Sequence, residues 1–375
     1  MPTSGKDTSL YFHIPFCSHK CPYCHFYVVA NKQPLQKQLI EALMGELAMY
    51  KEYFTGKNIV SVYFGGGTPT LFAPEHLARI LDYIQPPSGC EITIEANPTE
   101  ITQEMLSALK KLGINRLSIG VQSFAEGELK QLGRKHNRAA AKDAVLLSHA
   151  IGFKNISIDL MYDVPGQTLE SFQESIDCAC ALPITHLSLY NLTIEPHTGF
   201  AKKEATLRTM MPGEAISTIM YTTAIKRLEM QGLKQYEISA FARDGLLSRH
   251  NTGYWIGRPF LGFGPSAFSF YDNRRYRNIE SLTRYAKIIQ AAASPVDFVE
   301  EISNEKRQRE LLVLHLRLLA GVPLCRFSLE KETEENLAKL TTDGLVMVCG
   351  SDENKRLVLT AKGRLFYDYV ASELI

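Results

Sequence analysis

The sequence predicts an α/β fold: a partial (β/α)6 barrel followed by a C-terminal winged-helix-like module. Three observations predict it. Strand-like and helix-like segments alternate from residue 9 to about residue 190, and βα units repeated at this spacing build a parallel sheet with helices outside. The units number six, too few for a closed eight-unit barrel. The notable polar residues fall just after strands, where parallel sheets bind their ligands.

The elements follow in order. SLYFHI (9–14) reads as the first strand, and Pro15 closes it. A helical stretch covers 34–54. NIVSVYF (58–64) is short and β-branched, and APEHLARILDYI (73–84) has helical periodicity. EITIEA (91–96) is a strand and 102–113 a helix. NRLSIGV (115–121) is a strand, and two helical stretches then run through residue 153. NISIDLMY (155–162) precedes a helix over 168–182, and THLSLYNL (185–192) is the sixth strand. Beyond residue 195 the pattern is less regular: a long helix over 213–232, then YEIS (236–239) and a Gly-rich loop. Residues 304–375 read as helices with a small ribbon, 345–349 and 356–360, and a boundary is expected near 291–300. The expected domains are 1–200 (barrel core), 201–300 (barrel extension) and 301–375 (C-terminal module).

Composition sets limits. The chain has 375 residues, 45% hydrophobic and 22% charged, with net charge +1, an ordinary soluble balance. No apolar run reaches the ~18–20 residues that span a bilayer. The start, MPTSGKDTS, has no apolar export signal, so the cytoplasm is expected. Residues 304–375 hold eleven Lys and Arg against eleven Asp and Glu, which gives no basic face for nucleic acid. Cys90, Cys178, Cys180, Cys325 and Cys349 are scattered and read as small buried apolar residues.

The remaining cysteines are different. Cys17, Cys21 and Cys24 form a C-x3-C-x2-C triplet directly after the first strand. Three thiolates this close can hold one soft metal centre. A four-iron cluster normally takes four Cys ligands, so three leave one iron open to a small molecule. Zinc with His19 or His25 as fourth ligand is an alternative, as are plain thiols. FGGGTPT (64–70) follows the second strand, and its glycines let backbone approach a ligand and present N–H groups. Glu95 ends the third strand, Gln122 follows the fourth and Asp159 ends the fifth, with Arg134 one helix after Gln122.

Taken together, the triplet, the GGGTP loop and the ordered strand-end residues resemble the radical S-adenosylmethionine (SAM) superfamily. Within it the chain is similar to HemW-type proteins, the heme-binding relatives of oxygen-independent coproporphyrinogen III dehydrogenase (HemN). The resemblance implies a [4Fe-4S] cluster on Cys17, Cys21 and Cys24, with SAM chelating the open iron. It implies SAM contacts from Tyr11, Tyr23, Gly66, Gly67, Thr68, Glu95, Gln122, Arg134 and Asp159. Gln122, Arg134 and Asp159 correspond to positions in the wider site where HemN holds a second SAM. HemN has a further Cys where this chain has Phe26, and a longer arm than the 16 residues preceding Cys17. Both departures fit HemW, whereas His25 stands where HemW commonly has Asp. RHNTGYW (249–255) matches the HNxxYW motif associated with heme, which makes His250 a heme-site residue. The alternative is a loop histidine, with Tyr254 and Trp255 anchoring neighbouring segments.

The leading expectation is thus a heme chaperone that binds cluster, SAM and heme and passes heme to an acceptor such as a respiratory enzyme. A homodimer is compatible with it, and membrane association would come through the acceptor only. The alternatives are a coproporphyrinogen III dehydrogenase, a radical SAM enzyme acting on RNA or another small molecule, and a plain electron carrier.

Overall fold

The computed structural model describes residues 7–351 and 354–375; the first six residues of the polar N-terminus lie outside that range. The six expected strands are β1 (Asp7–Ile14), β2 (Asn58–Gly66), β3 (Glu91–Ala96), β4 (Arg116–Gln122), β5 (Asn155–Tyr162) and β6 (His186–Asn191). They pair in parallel in that order. The helices between them are α1 (Gln33–Met49), α2 (Pro74–Ile84), α3 (Gln103–Lys111), α4 (Glu126–Gln131), α5 (Arg138–Ala150) and α6 (Leu169–Cys180). Thr102, Asn137 and Thr168 cap α3, α5 and α6 with side-chain oxygens, supplying acceptors to first-turn N–H groups. The expected helix 34–54 breaks at Tyr50, and a separate turn follows over Lys51–Phe54.

These parallel strands alternate in character. Leu10, Phe12, Val62, Phe64, Ile94, Leu117, Ile119 and Ile158 are buried in one continuous core. Their neighbours are polar: Tyr11 pairs with Tyr63, Glu95 with Ser118, and Asp159 with Ser188. Successive strand residues point to opposite faces, so the helices cover the apolar face and the concave face is polar.

The irregular region after residue 195 completes the sheet at both edges. Helix α7 (Glu214–Met230) leads to β7 (Lys234–Glu237) and β8 (Ala240–Ala242), which extend the β6 edge antiparallel. RHNTGYW is a helix, α8 (Arg249–Trp255), not a loop. Strand β9 (Phe260–Phe263) then runs parallel to β1, and β10 (Phe268–Tyr271), β11 (Arg274–Asn278) and β12 (Val296–Glu301) follow antiparallel. Helix α9 (Leu282–Gln290) lies between β11 and β12. The sheet has twelve strands among the described residues, in the order β12-β11-β10-β9-β1-β2-β3-β4-β5-β6-β8-β7. A strand therefore occupies the end of the expected 291–300 boundary.

Residues from 304 onward carry a separate apolar core. It is built from α10 (Asn304–Leu316), α11 (Lys331–Thr342), α12 (Ala361–Leu365) and α13 (Tyr367–Leu374). A small antiparallel sheet completes it: β13 (Val322–Pro323), β14 (Val346–Cys349) and β15 (Arg356–Leu359), with β15 central. Cys325 and Cys349 are exposed on this module, against expectation, whereas Cys90 and Cys178 are buried. No helix of the described residues is long and apolar enough to cross a membrane.

Candidate functional site

A cavity of about 450 Å3 opens at the carboxyl ends of β2 to β6. Cys17, Cys21 and Cys24 form part of its wall, with Tyr23 and the strand-end carboxylates. Cys17 follows β1 on a two-residue strand, Phe16–Cys17, paired with Val29–Ala30. The loop between them turns back on itself, with Cys24 N donating to Cys21 O at 3.1 Å.

The Gly-rich loop grips this cysteine loop. Gly67 N donates to Ile14 O at 3.0 Å and Thr68 N to Phe16 O at 2.6 Å. A Cβ on Gly67 would lie 2.5 Å from Phe16 O. Gly66, with φ of 114°, sends its N–H to Glu95 at 3.1 Å. The amides of all three residues are thus committed inside the protein, and the glycines serve close backbone approach. Thr68, 1% exposed, sits behind the cysteines: its hydroxyl lies 3.5 Å from Cys17 Sγ and accepts from Asn97 Nδ2 at 2.7 Å.

Arg134 ties the same loop to the strands. Its guanidinium reaches Cys21 Sγ at 3.6 Å, Asn97 Oδ1 at 2.6 Å and Gly120 O at 2.5 Å. Among the described residues no carboxylate neutralises it within ion-pair distance. Asn97, which follows β3, links Arg134 to Thr68 and faces the cavity. It was not anticipated from sequence; its place one residue past a strand end, beside Glu95, was the available signal. Tyr63, also unanticipated, donates to Glu95 at 2.8 Å.

Glu95 and Asp159 line the cavity floor. Burial pushes Glu95 up to about 7, against the bonds from Tyr63 and Gly66. Burial likewise raises Asp159 to about 6, opposed by Ser188, the Arg116 charge and Ser118. The Asp159 charge adds to the rise at Glu95, so a cation in the cavity would relieve the repulsion between the two as anions. Gln122 reaches the cavity from a left-handed backbone (φ 69°) at a break in the β4–β5 register, a conformation that costs about 1–3 kcal/mol and concentrates at functional sites.

Besides Thr68, two expected residues lie outside the cavity lining. Tyr11 is on the barrel's polar face below the cavity, its hydroxyl 3.1 Å from His13 Nδ1 and its ring stacked on Tyr63. His250 lies near the opposite, amino end of the strands, 1% exposed. Its ring nitrogens are both engaged, Nδ1 with Ser61 Oγ at 2.9 Å and Nε2 with the Tyr254 hydroxyl at 2.8 Å. Burial lowers it to about 3, so it is a neutral imidazole.

The donor set fits an iron–sulfur cluster better than zinc. Among the described residues no three His, Cys, Asp or Glu side chains converge tightly enough to grip one ion. A tetrahedral zinc ion needs such convergence, whereas a cubane hands each Cys to a different iron and spreads the sulfurs. Cys17, Cys21 and Cys24 meet that looser requirement by facing one cavity.

The family described as the Radical SAM superfamily matches residues 11–179. Proteins named heme chaperone HemW are similar over nearly the whole chain. The one from Bacillus subtilis is 34% identical, covering 95% of this chain and 96% of that protein. The one from Mycobacterium tuberculosis is 32% identical, covering 100% and 96%. In architecture the chain is similar to coproporphyrinogen III oxidase (HemN) from Escherichia coli, a radical SAM enzyme, with TM-score 0.84 and 24% identity over 98% of this chain and 90% of that one.

Proposed function

Because the chain belongs to the HemW family, we propose that it is a heme chaperone, which holds a [4Fe-4S] cluster, SAM and heme and delivers heme to an acceptor protein. The observation that carries this reading is the near end-to-end similarity to several proteins named for that role, joined to a three-thiol cavity. The likeness to HemN supports the fold; coproporphyrinogen III dehydrogenase activity has no further observation in its favour.

In this reading Cys17, Cys21 and Cys24 hold the cluster, which supplies an open iron and one-electron chemistry when bound. Thr68, Asn97 and Arg134 keep the cysteine loop seated on the strand ends. Glu95 and Asp159 are placed to receive the positively charged portions of SAM, with Gln122 and Tyr23 closing the walls. Heme ligation by His250 would require its bond to Ser61 or to Tyr254 to open. The acceptor is proposed to be a respiratory enzyme, reached from the cytoplasm, with any membrane contact made through that acceptor.

Heme titration of anaerobically reconstituted protein tests this. A stoichiometric Soret band, followed by transfer to an apo-acceptor, is expected. Absence of heme binding, or turnover of coproporphyrinogen III with SAM and a reductant, would overturn it.

A further inference from the structure

A second cavity lies far from the cysteines, between the barrel extension and the C-terminal module. It measures about 180 Å3 and is bounded by α8, β9, β10 and α10. One wall is apolar: Phe260, Phe270, Leu311 and Leu314. The other carries Arg258, Arg275 and Arg307, with Glu310 as its one carboxylate.

Their charges are not equally compensated. Arg275 is neutralised by Glu300 and Glu310. Among the described residues, Arg258 and Arg307 pair with no carboxylate within ion-pair distance. Arg258 is 8% exposed, its Nη1 donates to Arg249 O at 2.8 Å, and its buried Nε has no partner. Arg307 stacks on Phe270, 4.5 Å from the ring centroid. Burial lowers the pKa of both guanidinium groups, against the carboxylates of Asp7 and Glu91 near Arg258 and of Glu310 near Arg307. Arg258 is buried and Arg307 half-buried; a buried charge is ordinarily paired, and planar guanidinium forks suit carboxylates.

We propose that this cavity binds a carboxylate carried on an apolar body, its oxygens on Arg258 and Arg307 and its hydrocarbon against Phe260, Phe270 and the two leucines. The size decides what enters. A cavity of about 150 Å3 admits benzene, whereas whole drug-sized ligands occupy about 300–1,000 Å3. The site therefore takes a small acid, or one propionate arm of a porphyrin whose ring stays outside. The second source rests on the heme chaperone reading; the first does not.

Calorimetric titration of the reconstituted protein with 3-phenylpropionate and with 3-phenylpropan-1-ol separates carboxylate recognition from greasy binding. The acid is expected to bind at least about tenfold more tightly, as a charge-assisted hydrogen bond implies. Arg307→Gln should abolish that preference, while Arg307→Lys retains part of it and controls for folding. Equal affinity of acid and alcohol, no binding of the acid, or a preference that survives Arg307→Gln would each overturn the site. Heme and heme dimethyl ester then identify the source. Competition of phenylpropionate with heme but not with the diester assigns the carboxylate to the porphyrin; no competition with either assigns it to a free acid. Should the protein bind no heme, the chaperone reading falls, and the phenylpropionate titration still decides the cavity.

Discussion

Gly67 shows how little room the cysteine loop leaves. A methyl group there would meet a backbone carbonyl at 2.5 Å, and backbone cannot step aside as a flexible side chain can. Gly67→Ala is expected to cost about 1–3 kcal/mol and to shift the loop that carries Cys17. Iron and sulfide per chain after anaerobic reconstitution should fall severalfold while the far-ultraviolet circular dichroism stays unchanged; normal iron loading would show that the loop tolerates the contact. Asn97→Ala addresses the other side of the same loop. It strips Arg134 and Thr68 of a shared partner, at about 1–3 kcal/mol for the groups left unsatisfied. We expect iron and sulfide per chain after anaerobic reconstitution to fall, and SAM affinity in equilibrium titration to drop with them by about tenfold or more; unaltered cluster content and affinity would remove Asn97 from the site. Much at this scale was legible in the sequence: the cysteines, Glu95, Gln122, Arg134 and Asp159 all face one cavity. The rest was not, because contact depends on depth as well as order. Tyr11 and Thr68 lie one layer behind the surface, and nothing in RHNTGYW reveals that both nitrogens of His250 are taken by a serine 189 residues away and by its own helix.

At the scale of elements, the first six strands were legible because each is a β-rich run with an outward apolar face buried by helices. The strands between residues 230 and 301 were hidden, whereas the C-terminal ribbon was legible as β14 and β15. RRYRN (274–278) looks like a polar loop, yet it is β11, held by cross-strand ion pairs of Arg275 with Glu300 and Arg277 with Asp297. Pairing with a partner strand, not its own pattern, makes it a strand. Helix α1 is joined to this hidden half through Glu46, 1% exposed, which accepts from Gly264 N at 2.8 Å, Asn278 Nδ2 at 2.6 Å and the Tyr285 hydroxyl at 2.5 Å. Burial nevertheless pushes its carboxyl from an ordinary 4.5 up to about 7. The folded state therefore binds the proton more tightly than the unfolded chain. Its contribution is complete below pH 4.5 and is lost as pH rises toward 7; the full difference corresponds to about 3 kcal/mol. Glu46→Gln should flatten the Glu46 part of that slope in chemical denaturation between these pH values. It keeps an acceptor for Gly264 and Tyr285 but turns an NH2 toward Asn278, at a pH-independent cost of about 1 kcal/mol. A slope identical to that of the native protein would rule out Glu46 as its source.

Across the whole molecule, the barrel core and the C-terminal core are joined by several polar contacts, among them Arg275 with Glu310, Lys306 with Glu300, Arg364 with Gln235 and backbone bonds of Ile238 with Arg317 and of Leu319 with Tyr236, and Arg317 adds a part-buried ion pair to them. It lies just past α10, in the C-terminal module, and reaches Glu237 on β7 at 3.3 Å and Ser239 at 3.3 Å. Its guanidinium also stacks on Trp255 of α8, 4.4 Å from the ring centroid. One side chain thus binds the module to the sheet edge and to the HNxxYW helix, beside the arginine-lined cavity. Glu237 is only 4% exposed, and burial raises its pKa even with Arg317 beside it. Removing the cation alone leaves that carboxyl without compensation, and deletions of this kind cost about 3–5 kcal/mol at fully buried pairs. Arg317 retains a fifth of its side-chain exposure, so about 2–3 kcal/mol is expected here. Because the loss falls on the joint and not on either core, Arg317→Met should split calorimetric unfolding into two transitions, the earlier one belonging to the C-terminal module. The double variant Arg317→Met, Glu237→Gln removes the stranded charge together with its partner and should recover part of the loss. A single cooperative transition in Arg317→Met at the native temperature would mean that the remaining polar and apolar contacts hold the module in place without the Arg317 side chain. If the two transitions appear, the carboxylate titration repeated on Arg317→Met follows from the same geometry: α10 supplies Arg307 to the cavity, so a loosened module should weaken 3-phenylpropionate binding without touching the cluster at the other end of the strands.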